Sequence, residues 1–251
     1  MSKTKTKSHA QQFQDVFSTL SLHHGSRSVW ADFVVMAACS ISNCVDVDNR
    51  ASREEMYLNV SKQYTAAELD HFVQLFVLTV EALEDNPDQD FLGEIFNQLE
   101  LYNKDSGQFF TPYTVAKMMA LMLCGNPADE IAEKGYFSVS DPCCGAGALL
   151  IGFANAAREQ GVDYQRDVIF AAQDIDFKVA MMCYIQLSML GCSGYVIVGN
   201  SLLLDPPERE NIWIMPMGMV LKSRRKNHDN HNYLSNQPGA RLEPAGLPCL
   251  E

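Results

Sequence analysis

The sequence predicts an α/β fold, in which a parallel sheet with covering helices follows a helical N-terminal region. Two changes of pattern along the 251 residues lead to this prediction. Residues 13–103 carry apolar side chains at the spacing of amphipathic helices. Residues 104–220 alternate short apolar runs with helical stretches, which is typical of parallel strands joined by helices.

The N-terminal region contains three segments that are predicted to be helical: Val29–Ala38, Leu69–Leu83 and Asp90–Leu101. Thr65 and Glu68 match a capping box, in which each side chain accepts a hydrogen bond from the other residue's backbone. A helix is therefore expected to begin after Thr65. The polar residues 1–12 are expected to form a flexible tail.

The second region contains four predicted strands: Tyr136–Ser140, Val168–Ala172, Tyr195–Val198 and Asn211–Met215. Helices are predicted over Ala146–Glu159 and Phe177–Leu190, between the first three strands. Residues 221–251 have low hydrophobicity and no periodicity, so they are expected to be disordered. Only four strands can be placed, so the sheet is expected to have an open edge that the N-terminal helices or another chain cover.

Composition narrows the functional classes. The longest apolar runs are too short to span a bilayer. None of the eight cysteines forms a Cys-x-x-Cys pair, so buried, reduced thiols in a cytoplasmic protein are expected, and no metal site. The formal net charge of -12 predicts weak binding to DNA by the chain alone, because duplex affinity comes largely from Lys and Arg on phosphates.

A glycine loop, Asp141-Pro-Cys-Cys-Gly-Ala-Gly147, separates the first predicted strand from its helix. Glycines let the backbone approach a ligand closely, and the helix N-terminus presents free N–H groups. Leu150 stands where the dinucleotide-binding pattern has its third glycine, so that pattern is not matched. Such loops also occur where a strand and a helix simply pack tightly, which leaves a plain α/β interaction module as an alternative.

Polar side chains end the next two predicted strands. Asp174 ends the second strand, where a carboxylate is well placed to accept hydrogen bonds from two ribose hydroxyls. Asp176 is predicted to cap the helix that follows. Asn200 ends the third strand and offers hydrogen bonds without charge.

Upstream of the glycine loop lies Gly107-Gln-Phe-Phe-Thr-Pro112, in which Thr111 and Pro112 suit the start of a helix. This segment, followed by Asp-Pro-x-x-Gly-x-Gly, resembles the adenine-N6 DNA methylase family, and within it the modification subunits of type I restriction-modification systems. The resemblance covers about residues 88–204. It implies a Rossmann-like methyltransferase core, an S-adenosylmethionine cofactor, DNA as substrate and a separate specificity subunit as partner.

By this resemblance eight residues take cofactor-binding positions: Phe109, Phe110, Thr111, Asp141, Gly145, Gly147, Asp174 and Asn200. The family implies that the two glycines face the methionine part of the cofactor and that Asp174 holds the ribose. Asp141 is implied to lie near the amino group, although it also suits a purely local role as a cap of the loop backbone. Relatives usually carry an acidic residue where Asn200 stands.

The sequence departs from the family at the catalytic motif. Relatives have Asn-Pro-Pro-aromatic after the fourth strand, where the Asn amide and a Pro carbonyl accept the hydrogens of the adenine amine and the ring stacks on the base. Here Met215-Pro216-Met217-Gly218 occupies that position, without an amide or a ring. Asp205-Pro206-Pro207-Glu208 also lacks the aromatic residue and is interpreted as a turn.

Two functional hypotheses follow from the resemblance. The first is an active adenine-N6 DNA methyltransferase of the restriction-modification type that needs partner subunits. The second is a catalytically inactive relative that binds S-adenosylmethionine and acts as a protein-interaction or regulatory subunit.

Overall fold

The computed structural model describes residues 7–101, 110–203 and 206–219. The predicted disordered tail at 221–251, Phe109 and Asp205 therefore lie outside the described residues. The N-terminal region forms five α-helices: α1 (His9–His24), α2 (Ser26–Asn43), α3 (Arg50–Ser61), α4 (Ala66–Asp85) and α5 (Phe91–Gln98). The remaining described residues include α6 (Tyr113–Leu123), α7 (Pro127–Lys134), β1 (Phe137–Asp141), α8 (Ala148–Glu159), α9 (Tyr164–Asp167), β2 (Val168–Asp174), α10 (Phe177–Met189), β3 (Ser193–Val198) and β4 (Ile212–Ile214).

The α-helical predictions for the N-terminal region are confirmed, with one boundary moved. Thr65 and Glu68 form the expected capping box at the start of α4, with the Thr65 N–H donating to Glu68 Oε2 over 2.8 Å. Residues 9–12, expected in the flexible tail, are instead the first turn of α1. Ser8 and Gln11 form a second capping box there, so the helix begins earlier than the apolar periodicity indicates.

The helical region and the sheet share one hydrophobic core. Its N-terminal part is an aromatic cluster between α1, α2 and α5, in which Phe13 contacts Trp30, Phe33 and Phe91. Helix α10 packs against both α2 and the sheet and so joins the two parts. No helix within the described residues is both long and apolar enough to cross a membrane.

The sheet has the strand order β1-β2-β3-β4. β1, β2 and β3 are parallel, and both ends of each strand lie within two residues of the predicted bounds. β4 is antiparallel to β3, with Tyr195 opposite Ile214 and Ile197 opposite Ile212, so the expectation of a parallel fourth strand was wrong. The physical reason lies in the connection after β3, whose described residues include only a short 3-10 helix, Arg209–Asn211, and no crossover α-helix.

A buried ion pair holds the edge strand β4 against the N-terminal helices. The Arg53 and Asp46 side chains are 2% and 1% exposed and lie 2.7 Å apart. The Arg53 guanidinium also donates to the Ile212 carbonyl over 2.8 Å and stacks on Trp213 at 4.0 Å. Arg209, beside the start of β4, reaches the second Asp46 oxygen at 3.0 Å. The N-terminal helices therefore cover the β4 edge, one of the two ways in which the incomplete sheet was expected to be protected.

Gly194 in β3 predicts a strong local effect on stability. Its φ is +145°, and an added Cβ would meet the Phe170 carbonyl oxygen of β2 at 1.9 Å. Gly194→Ala is therefore expected to lower the free energy of unfolding by about 2–3 kcal/mol, measured by urea denaturation. Gly161→Ala is the matched control, because Gly161 has a φ of +81° but open space around it. Equal effects of the two changes would contradict the crowding between β2 and β3.

Candidate functional site

A cleft of about 230 Å³ lies at the end of β1, beside the glycine loop. Four of the eight residues that the resemblance assigns to the cofactor line it: Phe110, Thr111, Asp141 and Gly145. The glycine loop forms one wall, and the start of α6 forms the other. Two segments that are separate in the sequence, the Phe-Thr-Pro segment and the glycine loop, are thus brought together.

The two glycines of the loop have different reasons to be glycine. Gly145 has a φ of +56°, and a Cβ there would touch the Phe110 ring at 3.4 Å. Gly147 has a φ of +98°, and a Cβ there would lie 3.0 Å from Cys183 Sγ on α10. Gly145 therefore lines the cleft, whereas Gly147 allows the loop and α8 (Ala148–Glu159) to pack closely against α10.

Asp174, at the end of β2, fixes the shape of the glycine loop. One carboxylate oxygen accepts a hydrogen bond from the Gly145 N–H over 3.0 Å, and the other accepts one from the Asp176 N–H over 2.9 Å. A carboxylate has about four acceptor positions, so two remain for other donors. Asp176 caps α10, as predicted, by accepting from the Lys178 and Val179 N–H groups.

Asp141 and Asn200 both hydrogen-bond the backbone close to themselves. Asp141 Oδ1 accepts from the Cys143 N–H over 3.1 Å, which is the local capping role that the sequence left open. Burial raises the pKa of the Asp141 carboxyl, and the nearby charge of Asp174 raises it further. Asn200 is exposed, and its Oδ1 accepts from the Leu202 N–H over 3.0 Å. The turn after β3 lies beside the glycine loop, since Ser201 Oγ is 3.9 Å from Cys143 Sγ.

Two residues that were not selected as site residues from the sequence connect α5 to this cleft. Asp90 lines the cleft, is 3% exposed and caps α5, with the Gly93 N–H donating to Oδ1 over 3.0 Å. Gln186 of α10 donates from Nε2 to Asp90 Oδ1 over 2.7 Å and to the Ala146 carbonyl over 2.9 Å. Its Oε1 accepts from the Leu92 N–H over 3.0 Å. The sequence did contain one indication of this contact, a glutamine in the middle of an apolar helix. A buried amide requires hydrogen-bond partners, so a glutamine at this position indicates a specific partner in the core.

The model of the N-6 DNA Methylase family matches residues 87–237, more than half of the chain. The chain belongs to the N-6 DNA methylase family. The match begins just before Asp90 and includes α5, α6, the glycine loop and the whole sheet. A comparison with curated proteins found no match.

In this N-6 DNA methylase the segment at the expected catalytic position lies away from the cleft. The carboxyl ends of the three parallel strands lie together on the side of the sheet where the glycine loop begins. β1, β2 and β3 end there at Asp141, Asp174 and Val198. Because β4 is antiparallel, Met215 lies at the opposite edge, where its N–H donates to the Gly194 carbonyl over 3.0 Å. Met215 is fully buried, and Gly218 packs on the Gly194 backbone. Met215, which stands at the sequence position expected for the catalytic motif, is therefore not among the residues that line the cleft.

The same topology places the turn after β3 at the cleft edge of this methylase-family sheet. Of Asp205-Pro206-Pro207-Glu208, interpreted from the sequence as a turn, the last three residues are described and have no regular secondary structure. Asp205 lies outside the described residues.

No group of three or more His, Cys, Asp or Glu side chains among the described residues is arranged to hold a metal ion.

The buried Asp90 carboxyl predicts a pH-dependent effect on stability. Burial raises its pKa from 3.8 to about 6, with hydrogen bonds from Gln186 and Gly93 opposing the shift. A carboxyl whose folded pKa is raised stabilises the fold when protonated, and this contribution is lost as the pH rises from about 4 to above 6. Asp90→Asn, which keeps the Oδ1 acceptor, is expected to raise the unfolding free energy at pH 7.5 by about 2–3 kcal/mol.

The measurement is thermal or urea unfolding of the ligand-free chain at pH 7.5 and pH 4. The gain from Asp90→Asn should disappear at the lower pH, where the native carboxyl is already neutral. Glu94→Gln, an exposed change on the same helix, should have little effect at either pH. A gain that is equal at both pH values would show that the charge of Asp90 is not its source.

Proposed function

We propose that this chain is the S-adenosylmethionine-binding modification subunit of an adenine-N6 DNA methyltransferase of the type I restriction-modification kind. The observation that carries the proposal is the junction of the Gly145 N–H with the Asp174 carboxylate. This contact joins the glycine loop to the end of β2 in a member of the N-6 DNA methylase family. It leaves the Asp174 carboxylate with acceptor capacity for further hydrogen bonds, next to Gly145, which lines the cleft.

The described residues of the cleft suit such a cofactor. S-adenosylmethionine carries a sulfonium and an ammonium group, and the cleft lining has the carboxyls of Asp90 and Asp141. No Lys, Arg or His occurs among the described lining residues. Phe110 supplies an apolar surface, and the backbone at Gly145 allows close approach of a ligand. Asp174, Asp141 and Phe110 are the residues that would hold the cofactor, which when bound supplies an electrophilic methyl group.

DNA binding is assigned to partner subunits. The chain has 31 Asp and Glu against 19 Lys and Arg, a formal net charge of -12. Duplex affinity depends largely on neutralisation of phosphates, so we assign the positive surface that contacts DNA to another chain. A separate specificity subunit, as implied by the resemblance to type I systems, meets this need and would set the recognition sequence.

A second candidate function is supported by the position of β4. The Asn amide and stacking ring of the catalytic motif are replaced by Met215 and Gly218, and this segment lies at the sheet edge opposite the cleft. A chain with this arrangement binds the cofactor and contributes to an assembly without transferring the methyl group. Its role would then be that of an interaction or regulatory subunit.

Methyl transfer separates the two candidates. The purified chain is incubated with tritium-labelled S-adenosylmethionine and DNA, with and without cell extract as a source of partners. Extract alone and extract with Asp174→Ala serve as controls. Label in N6-methyladenine above both controls supports the active subunit. No added label, from a chain that binds the cofactor, overturns the active assignment and leaves the inactive relative.

A further inference from the structure

Asp90 is a buried carboxyl without a cationic partner among the described residues. Its side chain is 3% exposed, and its two hydrogen bonds to Oδ1 come from the neutral donors Gly93 N–H and Gln186 Nε2. No Lys, Arg or His of the described residues forms an ion pair with it. Buried carboxylates are normally paired with a positive charge, because burial strongly disfavours an isolated charge.

The surrounding packing fixes this carboxyl against the glycine loop. A Cβ on Gly93 would lie 2.0 Å from Asp90 Oδ2, so only glycine leaves room for the carboxyl above the first turn of α5. The Gln186 amide nitrogen bonds both Asp90 Oδ1 and the Ala146 carbonyl. The carboxyl is therefore held next to the loop that forms the cleft wall.

The titratable groups that face Asp90 from the packed elements are acidic or neutral. Glu94 lies on its own helix, Tyr113 lies on α6 and Cys183 lies on α10. Asp141 lines the same cleft. On α1 and α4, which also pack against α5, His9 pairs with Glu81 and Asp85. None of these groups supplies Asp90 with a compensating charge, so a cation bound in the cleft would be the first positive charge beside this carboxyl.

We propose that Asp90 is a cofactor-binding residue that makes the cleft select S-adenosylmethionine over S-adenosylhomocysteine. This inference rests on the proposed function. The two ligands differ by the sulfonium, which gives the cofactor one more positive charge than its product. A cation within about 4–6 Å of a carboxyl lowers its pKa by about 1–3 units, which equals a 10- to 1,000-fold change in affinity. The charge of Asp90 therefore favours the cofactor over the product, because only the cofactor carries the sulfonium.

The number of protons released on ligand binding measures the contact between Asp90 and the sulfonium without an activity assay. The Asp90 carboxyl is partly protonated near pH 6 in the ligand-free chain. A sulfonium nearby favours the ionised form, so binding of S-adenosylmethionine near pH 6 releases a proton to the solvent. S-adenosylhomocysteine lacks the sulfonium, so its binding releases fewer protons from this carboxyl.

The test is calorimetry of the full chain with each ligand at pH 6 and pH 8, in two buffers that differ in ionisation enthalpy. The wild-type chain is expected to prefer S-adenosylmethionine by at least about tenfold at pH 8 and to release more protons with it at pH 6. Asp90→Asn should lose about tenfold of this preference while it retains its affinity for S-adenosylhomocysteine. Glu94→Gln should behave as the wild-type chain.

The outcomes separate this inference from the function on which it rests. The inference about Asp90 is overturned if Asp90→Asn keeps the wild-type ligand preference, or if both ligands release equal numbers of protons from the wild-type chain. Either result leaves the proposed function standing. The proton measurement uses the wild-type chain, so it decides the question even when the variant fails to fold. Absence of binding of either ligand to the wild-type chain overturns the proposed function itself.

Discussion

Replacing Asp46 by Ala is expected to lower the free energy of unfolding by about 3–5 kcal/mol. Asp46 is 1% exposed and bonds the buried guanidinium of Arg53 at 2.7 Å and that of Arg209 at 3.0 Å. Its removal leaves Arg53 buried without its carboxylate, and an uncompensated buried charge is far more costly than the loss of an exposed ion pair. Urea denaturation followed by circular dichroism measures the difference.

Asp48 provides the matched control for this change. It lies 3.5 Å from the same Arg209 but is 79% exposed, so Asp48→Ala should have little effect on stability. Burial raises the pKa of Asp46, but the Asn49 hydrogen bond and the charges of Arg53 and Arg209 outweigh it and hold that pKa below its usual value. The stabilisation is therefore present above pH 4 and is lost on further acidification. Equal effects of the two changes would show that the buried cluster does not hold β4 in place.

Replacing Asp174 by Ala is expected to weaken binding of S-adenosylmethionine by at least about 100-fold. The carboxylate accepts the Gly145 N–H and retains acceptor capacity for ligand hydroxyls. Hydrogen bonds to a charged group contribute about 1.5–3 kcal/mol each, and 1.4 kcal/mol corresponds to a factor of ten in affinity. The measurement is the dissociation constant from calorimetry.

Asp176→Ala in the same turn is the control for that experiment. Asp176 caps α10, so its loss should cost about 1 kcal/mol of stability but leave the affinity for the cofactor nearly unchanged. A similar loss of affinity in both variants would indicate that the turn as a whole, and not the Asp174 carboxylate, supports binding.

The sequence predicted the helices and the three parallel strands because local periodicity and capping encode them. The direction of β4 was not predictable in this way. Its three residues are all buried, and an apolar run of that length carries no information on orientation. Contacts that are remote in the sequence, from Arg53 to the Ile212 carbonyl and to the Trp213 ring, hold this strand in place.

The same distinction applies to the cleft. Asp141 and Asp174 end β1 and β2, and Gly145 lies in the loop after β1, so all three could be selected from local motifs. Asp90 and Gln186 are 96 residues apart, and their hydrogen bond exists only because α5 packs against α10. The displacement of Met215 from the cleft follows from the antiparallel β4, and the strand's direction had to be known first.

We propose that the cleft between α6 and the glycine loop binds S-adenosylmethionine, and calorimetric titration of the full chain measures this binding. The structure predicts saturable binding of one cofactor per chain, lost in Asp174→Ala and kept in Asp176→Ala. Absence of binding by the wild-type chain at millimolar cofactor would contradict the claim. The glycine loop would then serve only to let Gly147, at the start of α8, lie close to Cys183 of α10.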